Sequence, residues 1–253
     1  MSKILSTQER EAPKTRNVAI ITDGNGRWAQ THGLPVNEGH EAGADTLKAR
    51  LRDAIALGVR QLTVYSFSTE NWSRPAEEVL GLIAMLGRRI ATETPHLSRA
   101  GIRMRFVGRR QGAPRALVEQ MQWSEAVTAR NGRLVLFIAL NYGGRAEILD
   151  AASRFHDGGE EEFRGCLYTP DMDDPDLIIR TGGEQRLSNF LPWQGAEAEL
   201  VFRDEMWPDF TRTAFAHALE GHSSRRSRRT AIEPDEHDPK SEITASRSAY
   251  TVR

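Results

Sequence analysis

The feature that most constrains the fold of this chain is a regular alternation of short apolar segments with longer segments of helical spacing. The short segments are rich in apolar residues and end at glycine or polar residues, which is typical of buried strands. Strands are predicted at residues 17–21, 61–67, 102–107, 134–140, 176–180 and 199–202. Helices are predicted at 41–57 and 77–99, and at about 113–129, 144–155 and 211–220. Strands separated by helices pair in parallel through crossover helices, so the predicted class is α/β.

The length and the ends of the chain suggest one folded domain between two loose segments. A chain of 253 residues with 39% hydrophobic residues can bury one large core. We predict a flexible leader at 1–16, a domain at 17–221, and a disordered polar and basic tail at 222–253. The basic run at 223–229 is either a solvated part of the tail or a contact for anionic lipid headgroups.

Composition narrows the class of protein. Lys and Arg (34) nearly balance Asp and Glu (35), which gives no electrostatic case for nucleic acid as a partner. The single cysteine, Cys166, cannot form an internal disulfide and fits a reducing cytoplasm. The sequence has no apolar run long enough for a signal peptide or a membrane span. We therefore expect a cytoplasmic protein that would meet a lipid substrate from the aqueous side.

A glycine-rich segment with an acid and an arginine follows the first predicted strand. It contains Asp23, Gly24, Asn25, Gly26, Arg27 and Trp28. The glycines let backbone N–H groups approach an anion, and Arg27 adds a charge-assisted contact to phosphate. Asp23 at the strand end can hold Mg²⁺ bridged to the same phosphates. The segment lacks the Lys-Ser/Thr ending of a P-loop, and alone it also fits an ordinary surface turn.

Further polar motifs lie at the ends of other predicted elements. His40 sits where a helix begins, and residues 66–75 mix apolar rings, an arginine and an amide in one loop, as a lid would require. Arg180, Arg186 and Ser188 follow the fifth strand and form a second candidate anion site. Glu199 opens the sixth strand and is either a second carboxylate for the metal or a surface charge. The acidic stretch at 171–176 contains prolines and precedes a strand, so we interpret it as a solvated turn.

Two anion sites, a carboxylate for a metal and apolar surface between them suit a reaction that joins two diphosphates with apolar tails. In the strings DGNGRWA, FSTENWSRP, NYGGRAEI and RTGGEQRLSNFLPWQ the chain resembles the cis-prenyltransferase family, over residues 17–220. The resemblance implies a mostly parallel six-stranded sheet flanked by helices, an apolar tunnel and a homodimer. We expect Leu82, Met85, Leu86, Leu134 and Leu136 to line that tunnel or to be ordinary core residues.

The resemblance also implies roles for residues of this chain. Asp23 is the catalytic residue and, with Glu199, a ligand of the cofactor Mg²⁺, with Glu199 acting across the dimer or within one chain. The allylic diphosphate is bound by Gly24, Asn25, Gly26, Arg27, Trp28 and His40. Isopentenyl diphosphate is bound by Arg180, Arg186 and Ser188. The mobile loop contributes Ser68, Thr69, Glu70, Asn71, Trp72 and Arg74, of which Asn71 is suited to assist proton removal.

Departures from the family pattern affect substrate preference and the C-terminus. Val36 stands where many relatives have an arginine, so the allylic site has one charge fewer. Thr22, Pro192, Glu197 and the basic run at 225–230 also depart from it.

The implied function is the sequential condensation of isopentenyl diphosphate onto farnesyl diphosphate, giving undecaprenyl diphosphate for cell-wall synthesis, with peripheral membrane contact at product release. A short- or medium-chain synthase is the alternative in the same class. A phosphohydrolase with Asp23 as nucleophile is disfavoured by Asn25, where a second aspartate is expected. A non-catalytic partner subunit is disfavoured by the retained acids and arginines.

Overall fold

The structure is a computed structural model that describes residues 15–232. Its centre is a sheet of six strands, and all of its strand pairs are parallel. The strands are β1 (Asn17–Ile21), β2 (Gln61–Ser68), β3 (Ile102–Val107), β4 (Leu134–Tyr142), β5 (Leu177–Arg180) and β6 (Glu199–Phe202). Their order across the sheet is β3-β4-β2-β1-β5-β6. The predicted α/β class and the six predicted strands are confirmed.

Seven helices of the described residues flank the sheet. They are α1 (Asn25–Thr31), α2 (Val36–Ala56), α3 (Ala76–Arg99), α4 (Arg115–Thr128), α5 (Gly144–Ala152), α6 (Glu160–Arg164) and α7 (Arg212–Ile232). Two 3₁₀ turns, Thr69–Ser73 and Trp207–Asp209, complete the connections. None of the helices within residues 15–232 is long and apolar enough to cross a membrane.

The core is divided by the sheet into two clusters. Val18 and Ile20 of β1 point into the larger cluster, which also holds buried residues of α2, α3, α4 and α7. Ala19 and Ile21 point into the smaller cluster on the other face. Successive side chains of a strand alternate between faces, so a strand buried on both sides reads as an unbroken apolar run. This is the physical reason that β1 was recognisable in the sequence.

The predicted tail boundary at residue 222 is wrong. Helix α7 continues through the basic run to Ile232. Arg225 forms an ion pair with Glu199, and Arg226 with Asp176, 2.8 Å apart. These partners are acids on or beside β5 and β6, so part of the run is tied to the sheet edge instead of being loose. Residues 233–253, the rest of the predicted tail, lie outside the described residues.

The predicted leader is corrected at its last two residues. Thr15 is buried, and its hydroxyl lies 2.6 Å from Nδ1 of His222 on α7. The carbonyl of Arg16 accepts hydrogen bonds from the backbone of Arg60 and Gln61. Residues 1–14 lie outside the described part of the chain.

The carboxyl ends of β1 and β5 lie side by side, with Ile21 paired to Arg180. The strand order changes direction here, because the chain passes from β1 to β2 on one side of β1, while β5 and β6 lie on its other side. Ligands of parallel α/β sheets bind at such a switch point, at the carboxyl edge.

Candidate active site

Asp23 lies just beyond the end of β1, and its backbone is fixed by neighbouring segments. Its N–H is 3.1 Å from the hydroxyl oxygen of Thr181, and that hydroxyl donates to the carbonyl of Asp23 at 2.8 Å. The same carbonyl accepts a hydrogen bond from the N–H of Trp207 at 2.9 Å. The residue is therefore held by the chain on both sides of the switch point.

The carboxylate of Asp23 lies between two arginines from the two predicted anion sites. Nη2 of Arg180 is 2.8 Å from Oδ2, and Nη2 of Arg27 is 3.3 Å from Oδ1. The side chain of Arg180 is only 6% exposed, whereas that of Arg27 is 47% exposed. A buried arginine must be paired, so Arg180 is part of the framework, while Arg27 can turn towards a ligand.

Helix α1 packs against α2 without intervening side chains. A Cβ on Gly39 would lie 2.1 Å from the carbonyl oxygen of Asn25, and one on Gly43 would lie 2.4 Å from Oδ1 of Asn25. Nε1 of Trp207 donates to the carbonyl of Gly43 at 2.8 Å. The chain enters α1 through Gly24, whose φ of 109° is strained for other residues. The glycines thus place the start of α1 directly on α2.

Two polar atoms at this contact are buried and have no hydrogen-bond partner among the described residues: Oδ1 of Asn25 and Nε2 of His40. Burial lowers the pKa of His40, the nearby charge of Arg74 lowers it further, and Glu78 acts in the opposite direction. The imidazole is consequently neutral near pH 7 and keeps one N–H to donate. Buried unpaired polar atoms are costly, which marks this place as one where a ligand completes the bonding.

The second anion site is built around Arg180. Its Nη1 donates to the hydroxyl of Ser188 at 2.6 Å and to the carbonyl of Arg186 at 2.5 Å. Ser188, Asn189 and Leu191 all have positive φ, of 47°, 65° and 49°. Such backbone is strained for non-glycine residues and persists only where its surroundings hold it. The guanidinium of Arg186 is exposed and pairs with Glu184.

Contacts of Asn189 and Glu147 hold the strained segment. Oδ1 of Asn189 accepts from the N–H of Arg145, and its carbonyl accepts from the N–H of Gly144, both at 2.8 Å. Glu147 is fully buried and accepts from Nε2 of Gln194 at 3.1 Å and from the hydroxyl of Tyr142 at 2.6 Å. Burial and this carboxylate raise the pKa of Tyr142 well above its usual value, so the phenol stays a donor.

The loop between β2 and α3 lies over the same edge. The N–H of Ser68 donates to Oδ1 of Asn71 at 2.9 Å, which caps the 3₁₀ turn Thr69–Ser73. Nδ2 of Asn189 donates to Oε1 of Glu70 at 2.8 Å and joins the loop to the second anion site. The hydroxyl of Thr69 donates to Glu70 at 3.2 Å. The structure therefore gives Asn71 a local capping contact, and its part in proton removal stays a prediction.

Asn141 holds the other side of this loop and was missed as a site residue. Its Oδ1 accepts from Nε1 of Trp72 at 2.8 Å, and its Nδ2 donates to the carbonyl of Arg109 at 3.0 Å. It is 5% exposed and has a φ of 52°. The string NYGGRAEI contains both Asn141 and Glu147, but only their burial in the fold shows that they are supports.

An apolar cavity of about 130 Å³ lies behind Asn25 and His40, between α2, α3 and the sheet. Met85, Leu86 and Leu136 line it, as predicted for the tunnel. Leu82 and Leu134, predicted with them, belong to the buried core. The cavity also contacts Thr22, Leu47, Leu51, Ile90, Leu97, Met104, Ile138 and Trp207. An apolar tail can therefore extend inward from an anion bound at the start of α1.

Glu199 does not join Asp23 within one chain. It opens β6 beside Leu177, at the amino end of the sheet, and its carboxylate binds Arg225. At about 3.3 Å per strand residue, Glu199 lies roughly 10 Å below the level of Ile21, and two strands away. Because ligands of one Mg²⁺ lie about 2 Å from the ion, the predicted pair cannot share an ion in one subunit.

Known proteins are similar to this chain in sequence and in fold. A family model described as "Putative undecaprenyl diphosphate synthase" matches residues 21–230. An isoprenyl transferase from Thermotoga maritima is 47% identical, with 84% of this chain and 95% of that protein covered. A ditrans,polycis-undecaprenyl-diphosphate synthase ((2E,6E)-farnesyl-diphosphate specific) from Pseudomonas aeruginosa is 44% identical, with coverage of 84% and 89%. The crystal structure of lavandulyl diphosphate synthase from Lavandula x intermedia, in complex with dimethylallyl diphosphate, superposes with a TM-score of 0.80. Its identity is 30%, over 83% of this chain and 95% of that one.

The chain therefore belongs to the cis-prenyltransferase family. It is a prenyltransferase that elongates a cis-prenyl chain, and its substrates are isopentenyl diphosphate and an allylic diphosphate.

Proposed function

We propose that the protein uses farnesyl diphosphate as the allylic starter and makes undecaprenyl diphosphate, the lipid carrier for cell-wall synthesis. The observation that carries this proposal is the apolar cavity that begins at Asn25 and His40 and continues between α2 and α3. The 44% identity to a farnesyl-specific undecaprenyl synthase supports the choice of starter and product.

We propose that the allylic diphosphate binds at the start of α1. Arg27 is exposed and can exchange its contact with Asp23 for a bidentate contact to phosphate. The neutral His40 can donate from Nε2, and the amide of Asn25 can turn to present its Nδ2 donor, so one anion would satisfy both buried groups. Gly24, Gly26 and Trp28 belong to the same segment.

Isopentenyl diphosphate is assigned to Arg180, Arg186 and Ser188. Arg186 lies exposed at the strained segment. Its ion pair with Glu184 is also exposed, so the guanidinium can exchange this partner for a phosphate. Arg180 links this segment to Asp23. The two diphosphates would thus lie on opposite sides of one carboxylate.

Mg²⁺ is proposed as the cofactor, with Asp23 as its protein ligand. Among residues 15–232 no group of three acidic, histidine or cysteine side chains could hold a metal. Mg²⁺ commonly binds one or two carboxylates together with substrate phosphates, so a single carboxylate beside two diphosphate sites fits this ion. When bound, the ion would stabilise the negative charge of the departing diphosphate.

The residues of this chain then act by binding and orientation. The double bond of isopentenyl diphosphate attacks C1 of the allylic substrate, and the C–O bond breaks with its electron pair leaving on the diphosphate. A proton is lost from isopentenyl diphosphate, and a new double bond of cis geometry forms. Arg27 and Arg180 stabilise the developing charge, and residues 68–74 cover the reacting carbons.

Several features of the predicted protein stay predictions. They are the homodimer, a contribution of Glu199 from a second subunit to the Mg²⁺ site, membrane contact at product release, and a cytoplasmic location.

Radiolabelled isopentenyl diphosphate with farnesyl diphosphate tests the proposal, with products separated by chain length. We expect a C55 product that requires Mg²⁺ and is lost with EDTA. A short product would identify a short-chain synthase. Phosphate release without chain growth would indicate a phosphohydrolase, and no turnover at all would indicate a non-catalytic subunit.

A further inference from the structure

A row of charged residues joins α2 to α3 along one side of the cavity. On α2 the residues at 41, 45 and 48 are spaced so that they share one face of the helix. On α3 the residues at 88, 89 and 93 face them. We call this row the ionic seam, and it consists of Glu41, Asp45, Lys48, Arg88, Arg89 and Glu93.

Every member of the ionic seam has a partner on the opposite helix. Arg89 donates from Nε to Glu41 and from Nη1 to Asp45, each at 2.7 Å. Nζ of Lys48 lies 2.9 Å from both carboxylate oxygens of Glu93 and donates to Oε1. Oε2 of Glu93 is buried and receives no directed hydrogen bond within the described chain. The contacts thus join α2 to α3 at two places along the helices, one around Arg89 and one at Lys48 and Glu93.

Lys48, Arg89 and Glu93 also line the apolar cavity. The stems of lysine and arginine cover apolar surface while their charged ends stay near water. The opposite wall of the cavity includes Met104 of β3 and Leu136 of β4, and all of β3 pairs with β4. The cavity can widen without loss of sheet hydrogen bonds only where α2 and α3 separate.

The cavity must widen if the chain inside it grows. Its volume is about 130 Å³. Pockets that hold drug-sized ligands have volumes of roughly 300–1,000 Å³, and a polyprenyl tail of several five-carbon units is at least as large. Each condensation adds apolar carbon that gains free energy by leaving water. The growing tail therefore pushes against the ionic seam.

We propose that the Lys48–Glu93 pair, together with Arg89 and its acids, is a specificity determinant that limits how far the product extends before release. The proposal rests on chain elongation. It assigns product length to the strength of the ionic seam, in addition to the size of the apolar lining. A weaker seam opens at lower cost, so longer tails fit before the product leaves.

The test replaces the charges of one pair and keeps the shape of the side chains. Glu93→Gln and Lys48→Met are each compared with wild type, with farnesyl diphosphate, labelled isopentenyl diphosphate and Mg²⁺. We expect the product distribution to lengthen by about one five-carbon unit or more, because loss of the ion pair lowers the cost of separating α2 from α3. The double change should lengthen the product no further than one single change, because both remove the same interaction.

A charge reversal distinguishes an effect of the ion pair from an effect of the altered side chains in the cavity wall. Lys48→Glu combined with Glu93→Lys restores an ion pair and should restore the wild-type product distribution. The matched control is the pair Arg115–Glu119 on α4, with side chains 93% and 57% exposed, where Glu119→Gln should change nothing. Circular dichroism confirms that each variant is folded, and Glu93→Gln, which adds no volume, carries the test if Lys48→Met does not fold.

The proposal is overturned if Glu93→Gln leaves product length unchanged or shortens it, or if the reversed pair does not restore wild-type length. A wild-type protein that elongates to a product other than C55 would correct the proposed product and leave this test intact. A wild-type protein that elongates nothing would overturn both proposals together.

Discussion

The two proposed diphosphate sites on the carboxyl edge differ in how many of their polar atoms already have partners within the chain. At Arg180 both Nη atoms are bonded within the chain, to Asp23, Ser188 and the carbonyl of Arg186, while its buried Nε has no hydrogen-bond partner among the described residues. At the start of α1, by contrast, Asn25 and His40 each keep a buried atom without a partner among the described residues. The comparison indicates that bonds within the chain already hold the guanidinium of Arg180 in place, whereas the half at the start of α1 depends more on the anion that we propose it binds.

The carboxylate between the two halves should carry the largest effect. Asp23→Ala removes the acid that pairs with both arginines, and Asp23→Asn keeps its shape without the charge. We expect condensation to fall by about 10³-fold or more in both variants, with the circular dichroism spectrum unchanged. Asp157→Asn, at an exposed aspartate after α5, is the control. Near-normal turnover in Asp23→Asn would contradict the assigned role.

The second-largest expected effect is confined to the allylic half of the site. Gly43→Ala places a Cβ 2.4 Å from Oδ1 of Asn25 and 3.0 Å from the ring of Trp207, so the amide of Asn25 must shift. Overpacking of this kind costs about 1–3 kcal/mol of stability. We expect the KM for the allylic substrate to rise, while the KM for isopentenyl diphosphate stays nearly unchanged. Gly132→Ala, where a Cβ meets open space, is the matched control for both measurements. An equal rise in the two KM values would show that the halves are not independent.

Position 36 offers a smaller change in the same half. Cγ1 of Val36 lies 3.7 Å from where a Cβ of Gly26 would be, so this first residue of α2 borders the allylic segment. Val36→Arg adds a cation there and should lower the KM for farnesyl diphosphate by about three- to tenfold. Val36→Met provides length without charge. A KM that stays the same in Val36→Arg would contradict our interpretation of this departure from the family pattern.

The smallest effect is a pH dependence of stability. The pKa of His40 is lowered by burial and by Arg74, so the folded protein binds this proton less readily than the unfolded chain. Stability from this group is present above pH 6.5 and is lost as the pH falls through the folded-state pKa. In urea titrations between pH 7.5 and 5, His40→Gln should show a shallower decline than wild type. A slope remains because burial also lowers the pKa of His222. Equal slopes in the two proteins would contradict the prediction.

Most of the fold could be predicted because its buried strands are rich in apolar residues, and this pattern is visible in the sequence. Predicted strand ends agree with the observed ends within two residues, from β1 to β6. The second half of α7 could not be predicted, because it contains few apolar residues and depends on ion pairs of Arg225 and Arg226 with distant acids. No local pattern encodes a contact with a residue on another strand.

The site was predictable where charges follow strands and less so where polar groups are buried. Asp23, Arg27 and Arg180 were expected at the strand ends, and the fold brings them together across 157 positions of sequence in the Arg180–Asp23 pair. Asn141 and Glu147 were missed because a buried amide or acid looks in the sequence like any surface polar residue. Glu199 was predicted to lie with Asp23 because a resemblance in sequence identifies candidate residues but does not show how far apart they lie in the folded chain.

Trp207 makes the state of this site observable by fluorescence. It is 1% exposed, its N–H binds the carbonyl of Asp23, its indole binds the carbonyl of Gly43, and its ring borders the apolar cavity. Of the five tryptophans, Trp207 is thus an internal reporter in contact with both the backbone of Asp23 and the cavity that we propose the product fills. Its emission, isolated by replacing the other four with phenylalanine, would record the arrival of each added unit in real time without a label on the substrate.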